Sequence, residues 1–310
     1  MRVGVTGASG LIGHSLVRAL EERGDKVSTF VRPTTGANAV LPSSNTVRWD
    51  PEHGNVDESD WQRAGGFDAI VNLAGAGIGD ERWSVPRQDV ILTSRTSATR
   101  LMVRALRDLS DGATFLASGS AIGWYGSRGD ELLDETSDGG AGFLADVCAQ
   151  WEGAATTWRE SGAGVALLRT GIVLGARSAS LRRQLPLFRL GLGGRLGSGQ
   201  QWLSPVSLLD EVRAILWVID HRLNGPVNLV CPHPTTNQEF TRTFAQQLHR
   251  PAFFAVPRPA LGLAIGSKMA NELVLASQRV APGALSEAGF QFEHSNISEA
   301  LRWALRPFTP

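Results

Sequence analysis

The sequence predicts an α/β protein of the Rossmann type, with a doubly wound parallel sheet and a smaller C-terminal α/β substrate domain. Three observations predict this fold: a buried strand pattern that runs directly into a glycine-rich turn, an alternation of strand and helix patterns over the first half, and a change of rhythm after Leu174. Strands that alternate with helices form parallel sheets with helices on both faces. Right-handed crossovers then give a doubly wound sheet.

The alternation extends over the first 174 residues. Short apolar runs predict strands, and helical spacing of apolar residues predicts the helices between them. The predicted strands are Arg2–Thr6, Lys26–Val31, Thr46–Trp49, Asp68–Leu73, Ala113–Ser118 and Gly164–Leu174. The predicted helices of this half are Leu11–Arg23, Val85–Leu109 and Phe143–Glu160.

The second half of the chain has a different rhythm. Residues 191–199 are rich in glycine, which predicts a loop or a tight hairpin, and residues 250–259 contain three prolines, which predict a connector. Further patterns predict the helices Leu208–Arg222, Thr236–Leu248, Leu261–Ala276 and Ile297–Leu305, and the strand Val227–Val230. We expect residues 1–175 to bind a nucleotide, residues 206–230 to return to that domain, and residues 176–310 mainly to form a substrate or lid domain.

Composition limits the class of protein. The chain has 310 residues, of which 42% are apolar, enough for a sizeable core. Lys and Arg together number 30, as do Asp and Glu, so the total charge predicts neither nucleic acid nor a membrane as a partner. Two cysteines, Cys148 and Cys231, do not make a disulfide framework. With no apolar run that could span a bilayer and no secretory signal pattern, we expect a cytoplasmic protein.

The glycine-rich turn directly follows the first predicted strand and opens a predicted helix. In such a turn one glycine permits the tight bend, one lets the backbone approach a pyrophosphate, and one lets helix and strand pack closely. The helix start adds free N–H groups and a partial positive charge. The turn therefore predicts a dinucleotide site, with contacts from Gly7, Ser9, Gly10, Leu11, Ile12 and Gly13.

The end of the second strand indicates which dinucleotide binds. An NAD site usually has Asp or Glu about 20 residues after the glycines, where it binds the ribose 2′-hydroxyl. Here Arg32 stands at that position, and residues 27–40 contain no carboxylate. A guanidinium can pair with a 2′-phosphate, which favours NADP(H) over NAD(H). The alternative for Arg32 is a solvated surface arginine.

Several segments resemble a known superfamily. The Gly-x-x-Gly-x-x-Gly spacing and Asn72-Leu73-Ala74-Gly75 are similar to the turn and the Asn-Asn-Ala-Gly element of the extended short-chain dehydrogenases/reductases. Segments such as Ser94-Arg95, Arg169–Gly175 and Gly191–Gln200 resemble one subgroup, the SulA-like epimerase family of nucleoside-diphosphate-sugar epimerases. The likeness covers nearly the whole chain. It departs at residues 201–210, where the family tends to have Trp-Ile-His and this chain has Trp202-Leu203-Ser204-Pro205-Val206-Ser207.

The resemblance implies further cofactor contacts at the ends of the later strands and on the long helix. These contacts are Leu73, Ala74, Gly75, Arg95, Ser118 and Gly171. Leu73 and Ala74 would line the adenosine side, and Gly171 would pass near the nicotinamide. Arg95 would reach toward the cofactor, unless it is only a surface charge of the helix. The resemblance also implies a small-molecule substrate, with a sugar nucleotide as the class its relatives are named for, and a homodimer through the long helices.

The superfamily's usual catalytic groups are a serine and a Tyr-x-x-x-Lys pair, in which the lysine binds the nicotinamide ribose and lowers the tyrosine pKa. Ser120, just after the fifth strand, suits the serine role, unless it only satisfies loop backbone. The tyrosine and lysine positions fall on Phe143 and Val147. The only tyrosine, Tyr125, precedes that helix, so the usual pair is predicted to be absent.

Other groups on the same helix are candidates for the missing acid. They are Asp146 and Cys148, and Cys148 shares a helix face with Glu152 because the two are four residues apart. The six histidines have no metal-ligand spacing, so no metal site is predicted. Two hypotheses stay open: an NADP(H)-dependent oxidoreductase or epimerase with a non-standard acid, or a catalytically silent NADP(H)-binding regulatory or scaffold protein.

Overall fold

The computed structural model of the chain describes residues 1–32, 45–110, 112 and 114–306. The strands are β1 (Arg2–Thr6), β2 (Lys26–Val31), β3 (Asn45–Asp50), β4 (Asn55–Val56), β5 (Ala69–Asn72), β6 (Phe115–Ala121), β7 (Leu132–Leu133), β8 (Val165–Thr170), β9 (Ile172–Leu174), β10 (Gly194–Leu196), β11 (Trp202–Leu203), β12 (Pro205–Ser207), β13 (Gly225–Leu229), β14 (Thr235–Thr236), β15 (Phe254–Val256) and β16 (Arg279–Val280). The α-helices are α1 (Leu11–Glu22), α2 (Glu58–Ala64), α3 (Val85–Leu109), α4 (Phe143–Thr156), α5 (Ala179–Arg182), α6 (Leu185–Arg189), α7 (Leu208–His221), α8 (Asn237–Gln247), α9 (Arg258–Ile265), α10 (Ser267–Met269), α11 (Gly283–Glu287) and α12 (Ile297–Ala304). Short 3-10 helices cover Ile122–Tyr125 and Thr157–Ser161, and a π-helical turn covers Ala270–Val274.

The main sheet has eight strands in the order β13-β8-β6-β5-β1-β2-β3-β4. Its neighbouring strands are parallel, except that β4 pairs with β3 in the antiparallel sense at the edge. The chain therefore starts in the middle of the sheet at β1 and winds outward in both directions. This confirms the predicted doubly wound Rossmann fold and puts the crevice between β1 and β5 at the point where the strand order reverses.

Helices cover both faces of this sheet. The core on one face joins α1 and α7, which pack against each other and contribute Leu16 and Ile215. The core on the other face includes Met102 of α3 and Ala155 of α4. Consecutive residues of β6 belong to opposite cores, since side chains alternate between the faces of a strand. The sheet is thus buried on both sides.

The C-terminal elements build a separate hydrophobic core. Its members include Leu181, Phe188, Phe240, Phe244 and Leu301. Strand β13 and helix α7 lie with the main sheet, because β13 pairs with β8 and α7 packs on α1. The domain boundaries at residue 175 and at residues 206–230 stay a prediction.

Three predicted elements differ from the structure. The sixth predicted strand is two strands, because the chain bends at Gly171 and β9 pairs with β12 instead of continuing in the main sheet. The helix predicted over Leu261–Ala276 is interrupted at Gly266, whose φ of +92° ends α9. The segment 191–199 is not a hairpin, because β10 pairs in parallel with the distant β15. Ala113, the predicted start of the fifth strand, lies outside the described residues.

We expect Phe244→Ala to destabilise the protein far more than Phe254→Ala. Phe244 is fully buried and stacks on Phe188 with ring centroids 4.3 Å apart, so its loss should cost about 3–5 kcal/mol. Phe254 is exposed, and its loss should cost less than about 1 kcal/mol. Urea unfolding followed by tryptophan fluorescence measures both, and equal losses would contradict the assignment of this core.

Candidate cofactor and active site

The glycine turn lies between the C-terminal ends of β1 and β5. Gly7 has a φ of +67°, and a Cβ on it would lie 2.6 Å from the carbonyl oxygen of Leu73. A Cβ on Gly13 would overlap the carbonyl oxygen of Gly7. Neither position accepts a side chain without backbone movement. The two glycines therefore let α1 begin directly against the turn.

The start of α1 is open to a ligand. Its N-cap is Gly10, and no side chain caps the helix. The amides of Leu11, Ile12 and Gly13 precede the first hydrogen bond within the helix, so their N–H groups have no intrahelical acceptor. Ser9 and Gly10 are exposed. Such a helix start is suited to bind a phosphate group.

A buried hydrogen-bond chain fixes the strand ends beside the turn. Thr6 Oγ1 accepts from the two amides of residues 73–74 at 2.9 and 3.1 Å and donates to Asn72 Oδ1 at 2.7 Å. Asn72 Nδ2 donates to Thr99 Oγ1 at 2.9 Å, and the Trp151 indole donates to the same oxygen at 3.0 Å. This chain joins β1, β5, α3 and α4. The amides of residues 73–74 are used within the protein, so they can meet a cofactor by contact but not as free donors.

Ser120 lies at the end of β6 and donates a 2.6 Å hydrogen bond to Glu152 Oε1 on α4. Arg169 on β8 binds both oxygens of the same carboxylate, at 2.9 and 3.0 Å. All three residues are buried. Burial opposes the charge on Arg169, but the hydrogen bonds and the charge of Glu152 outweigh it and raise the pKa of Arg169. The three residues form a closed polar centre between the sheet and α4.

Tyr125 extends this polar centre and is itself fully buried. Its hydroxyl accepts from Arg169 Nη1 at 3.0 Å and donates to Asn228 Oδ1 at 2.7 Å. Burial raises the pKa of Tyr125 to about 12. The Tyr125 hydroxyl therefore holds Arg169 in place, and its own proton points toward Asn228 on β13.

The two other candidate acids lie on different sides of α4. Cys148 is buried and donates to the Ala121 carbonyl at 3.6 Å, and burial raises the pKa of its thiol to about 11. A protonated thiol of this kind is a poor nucleophile at neutral pH. Asp146 is exposed in the first turn of α4, and a residue two positions from Cys148 points roughly the opposite way. The structure therefore does not bring Asp146 to Ser120.

Arg95 lies against the chain segment that follows β5. Its guanidinium stacks on Trp151 at 5.2 Å from the ring centroid, and a Cβ on Gly75 would lie 3.1 Å from Arg95 Cγ. Within the described chain, Arg95 Nη1 donates to the Ile91 carbonyl at 2.9 Å, and no carboxylate there pairs with Arg95. Burial lowers the pKa of Arg95 to about 10, which still leaves a cation at neutral pH. A largely buried cation without a carboxylate partner is suited to bind an anionic group.

The remaining predicted cofactor contacts lie at three strand ends. Arg32 is exposed just after β2, and the twelve residues that follow it lie outside the described residues. Ser118 is buried within β6, and its hydroxyl is 3.4 Å from the Gly119 carbonyl. Gly171 separates β8 from β9, where a side chain would overlap the Ser204 carbonyl oxygen. Because Gly171 has no side chain, the backbone of Ser204 can lie close to it and the chain can bend there.

The positions of the missing pair carry no acid or base. Phe143, at the start of α4, packs edge-on against Trp83 with centroids 5.2 Å apart, and Val147 is buried. The ammonium group of Lys268 lies 4.8 Å from the Phe143 ring centroid and donates to Gln88 at 2.6 Å. A contact between the Phe143 ring and the Lys268 cation thus occupies the position at which the superfamily usually has its tyrosine.

Sequence reasoning missed Glu211 on α7. The side chain is fully buried, Thr170 Oγ1 donates to its Oε1 at 2.8 Å, and its Oε2 has no hydrogen-bond partner in the described part of the chain. Burial raises the pKa of Glu211 to about 8, so the neutral acid predominates at pH 7. In the sequence, Glu211 could have been noticed as a second acidic residue beside Asp210 at the start of a mostly apolar helix.

The described ranges contain no group of three His, Cys, Asp or Glu side chains that could hold a metal ion. Nor do they contain a helix with the length and apolar character needed to cross a bilayer.

The fold and the open glycine turn define a dinucleotide-binding protein of the Rossmann class. The model of the NAD dependent epimerase/dehydratase family matches residues 3–230, and a domain of unknown function, DUF1731, matches residues 256–304. The chain belongs to the NAD dependent epimerase/dehydratase family. The predicted resemblance to the epimerase-like short-chain dehydrogenases/reductases is thereby confirmed.

Similar proteins cover almost the full length of the chain. An epimerase family protein of Mycobacterium tuberculosis is 42% identical over 303 residues, which are 97% of each chain. The chloroplastic epimerase family protein SDR39U1 homolog of Arabidopsis thaliana is 34% identical over 97% of this chain and 86% of its own length. The crystal structure of human epimerase family protein SDR39U1 with NADPH superposes with a TM-score of 0.87 at 28% identity, covering 99% of this chain and 100% of the human one.

We expect both cysteines to resist thiol reagents in the folded protein at pH 8. Burial raises the pKa of Cys148 to about 11 and that of Cys231 to about 12, so at pH 8 both groups are protonated as well as inaccessible. Ellman's reagent should titrate no thiol in buffer and two thiols in guanidinium chloride. Rapid reaction of either thiol in buffer would contradict the buried position of that residue.

Proposed function

We propose that the protein is an NADP(H)-dependent oxidoreductase or epimerase of a small molecule, in which Ser120 and Glu152 take over the acid–base role of the usual tyrosine. The observation that carries this proposal is the 2.6 Å hydrogen bond from Ser120 Oγ to Glu152 Oε1 at the C-terminal end of β6. In open α/β sheets, ligands bind in the crevice at the carboxyl ends of the strands. Ser120 therefore stands at the end of the sheet where a substrate and a cofactor meet.

The residues around the crevice fit NADP(H). The turn from Gly7 to Gly13 and the uncapped start of α1 would hold the pyrophosphate, and exposed Arg32 would pair with the 2′-phosphate. The segment 73–75 would line the adenosine side, and Ser118 and Gly171 would stand toward the nicotinamide. The crystal structure of the human relative with NADPH supports this choice. The cofactor, when bound, supplies or accepts a hydride at its nicotinamide ring.

The serine can move a proton because its own proton is already directed at a carboxylate. The Oγ lone pairs are then available to accept the proton of a substrate hydroxyl, while the serine proton passes to Glu152 Oε1. The reverse movement returns a proton to the substrate oxygen when a carbonyl is reduced. Arg169 holds Glu152 with two hydrogen bonds during this exchange, and Tyr125 holds Arg169.

Arg95 would supply the positive charge that the absent lysine provides in relatives. It approaches from α3, and its side chain packs against Trp151 of α4 and the backbone of Gly75 after β5. Its lack of a carboxylate partner among the described residues leaves that charge for a ligand. Asp146 has no part in this arrangement, because it is exposed on the far side of α4.

A second candidate is a catalytically silent NADP(H)-binding regulatory or scaffold protein. The observation that favours it is the burial of Ser120, Glu152 and Arg169, since a substrate must displace neighbouring atoms to reach the serine. The substrate class also belongs to the proposal: a sugar nucleotide is the first class to test, because the family is named for epimerases. A homodimer and a cytoplasmic location stay predictions.

We expect Arg32→Asp to weaken NADPH binding by about tenfold or more, because a charge-assisted pair with the 2′-phosphate is replaced by repulsion. NADH has no such phosphate, so its affinity should stay the same or rise. Titration calorimetry with both dinucleotides measures the two effects, with Arg18→Asp on the outer side of α1 as the matched control. Equal losses for NADPH and NADH would refute the 2′-phosphate role.

Hydride exchange tests the reaction. The protein would be incubated with 4-deuterated NADPH and a panel of carbonyl compounds and sugar nucleotides, with label transfer measured by mass spectrometry. Ser120→Ala and Glu152→Gln should each lower the transfer by about 10²–10⁴-fold, the usual contribution of acid–base groups, while NADPH affinity is kept. Asp146→Asn should leave the rate unchanged. Tight NADPH binding without any transfer by the unaltered protein would favour the silent candidate.

A further inference from the structure

Positive charge is concentrated in two segments of the C-terminal half. Residues 176–209 contain five arginines and no Asp or Glu. Residues 240–271 contain three arginines and one lysine, again with no Asp or Glu. All 30 acidic residues of the chain lie elsewhere, so a formal net charge of zero conceals a strongly basic region.

The two basic segments lie side by side. Strand β10 pairs in parallel with β15, so that Gly194 is opposite Phe254 and the exposed Arg195 is opposite Ala255. Arg250 Nε donates to the carbonyl of Arg189 at 2.9 Å. The two segments therefore form one continuous surface.

Large apolar side chains protrude from the same surface. Ten large apolar side chains are exposed in the described part of the chain, and six of them belong to these two segments. Phe253 is 89% exposed, Leu263 is 81% exposed and Leu190 is 73% exposed, and the other three are each more than half exposed. Single exposed apolar residues are ordinary, but a concentration of them indicates a binding surface. We define the basic-apolar face as Leu187, Arg189, Leu190, Leu192, Arg195, Arg250, Phe253 and Phe254.

The arginines of this face are available to an anionic partner. No described carboxylate forms an ion pair with Arg189, Arg195 or Arg250, whereas Arg183 nearby pairs with Asp80 at 3.7 Å. The guanidinium of Arg250 bonds to a backbone carbonyl, which leaves its charge uncompensated. Positive charge and apolar side chains are thus presented together on one surface.

We propose that the basic-apolar face binds the surface of a membrane that contains anionic phospholipids. Arginines would pair with the phosphate groups, and the phenylalanine and leucine side chains would enter the boundary between headgroups and acyl chains. This combination is what peripheral membrane proteins use, whereas a purely electrostatic partner would need no exposed Phe253 or Leu190. The contact is peripheral and leaves the fold unchanged.

A second copy of the chain is a poorer occupant. Its densest acidic stretch is residues 130–138, but most of those carboxylates are already engaged within the chain. Glu131 binds Arg128 at 2.7 Å, Asp130 accepts from the Trp202 indole at 2.8 Å, and Glu135 accepts from a β13 amide at 2.9 Å. Pairing with another copy would have to break these contacts, whereas lipid phosphates are free to bind.

Vesicle co-sedimentation of the full chain tests the proposal. Vesicles of phosphatidylcholine alone and of phosphatidylcholine mixed with phosphatidylglycerol are compared at low and at physiological salt. We expect binding to the anionic vesicles that weakens as salt screens the charges, and at least about tenfold weaker binding to neutral ones. Equal binding to both vesicles, or binding to neither, would overturn the proposal.

Two double variants assign the contact to this face. Arg189→Gln with Arg195→Gln should weaken binding to anionic vesicles by about tenfold or more. Phe253→Ser with Phe254→Ser should weaken it while keeping its salt dependence. The matched control is Val85→Ser with Arg18→Gln, an exposed apolar residue and an exposed arginine elsewhere, which should bind like the unaltered protein.

Circular dichroism and NADPH binding confirm that each variant is folded. An equal loss in the control variant would overturn the assignment to this face. So would light scattering that shows a dimer in the unaltered protein and a monomer in the Phe253→Ser and Phe254→Ser variant. That last outcome would make the face an interface between copies of the chain.

Discussion

The ion pair between Glu152 and Arg169 is the interaction on which the polar centre of the protein depends. Either charge alone would be a costly group in this interior, because removing a buried charge from water costs several kcal/mol unless it is paired and hydrogen-bonded. The pair joins α4 to β8, and through Ser120 and Tyr125 it also holds the end of β6 and β13. Loss of one partner would therefore cost more than loss of the serine or of the phenol.

The pair also explains how the chain can lack the tyrosine–lysine dyad and keep an ordered site. In the usual arrangement α4 contributes a phenol and an ammonium group near its start. Here Phe143 and Val147 of α4 are apolar, and the buried carboxylate of the helix is Glu152, nine residues after Phe143. In the proposed site this carboxylate lies where Arg169 of β8 can compensate its charge. Ser120 would then be polarised without a tyrosine on α4.

Local patterns were enough to predict the Rossmann half, for physical reasons that act over a few residues. The turn from Gly7 to Gly13 needs glycine because of backbone overlap, and the strand and helix periods follow from side-chain direction. Such rules do not say which distant segments pair. Helical spacing puts Cys148 and Glu152 on one helix face. It does not assign Arg169 to Glu152, because that contact depends on how α4 lies across the sheet. The breaks at Gly171 and Gly266 could not be predicted for a related reason. The bend at Gly171 depends on contact with the distant Ser204 backbone, and the end of α9 at Gly266 depends on a positive φ within an apolar run.

Total charge does not describe how charge is distributed over a surface, and electrostatic attraction in salt solution is local. At physiological ionic strength the Debye length is about 8 Å, so a charged surface acts on the groups that face it and little on the rest of a domain. Among the described residues, no carboxylate forms an ion pair with Arg189, Arg195 or Arg250, whereas Asp80 pairs with Arg183. A balanced sum of charges predicts no membrane partner, but the charges along residues 176–209 and 240–271 are one-sided. Because β10 and β15 bring these two segments together, the asymmetry of the sequence becomes an asymmetry of the surface.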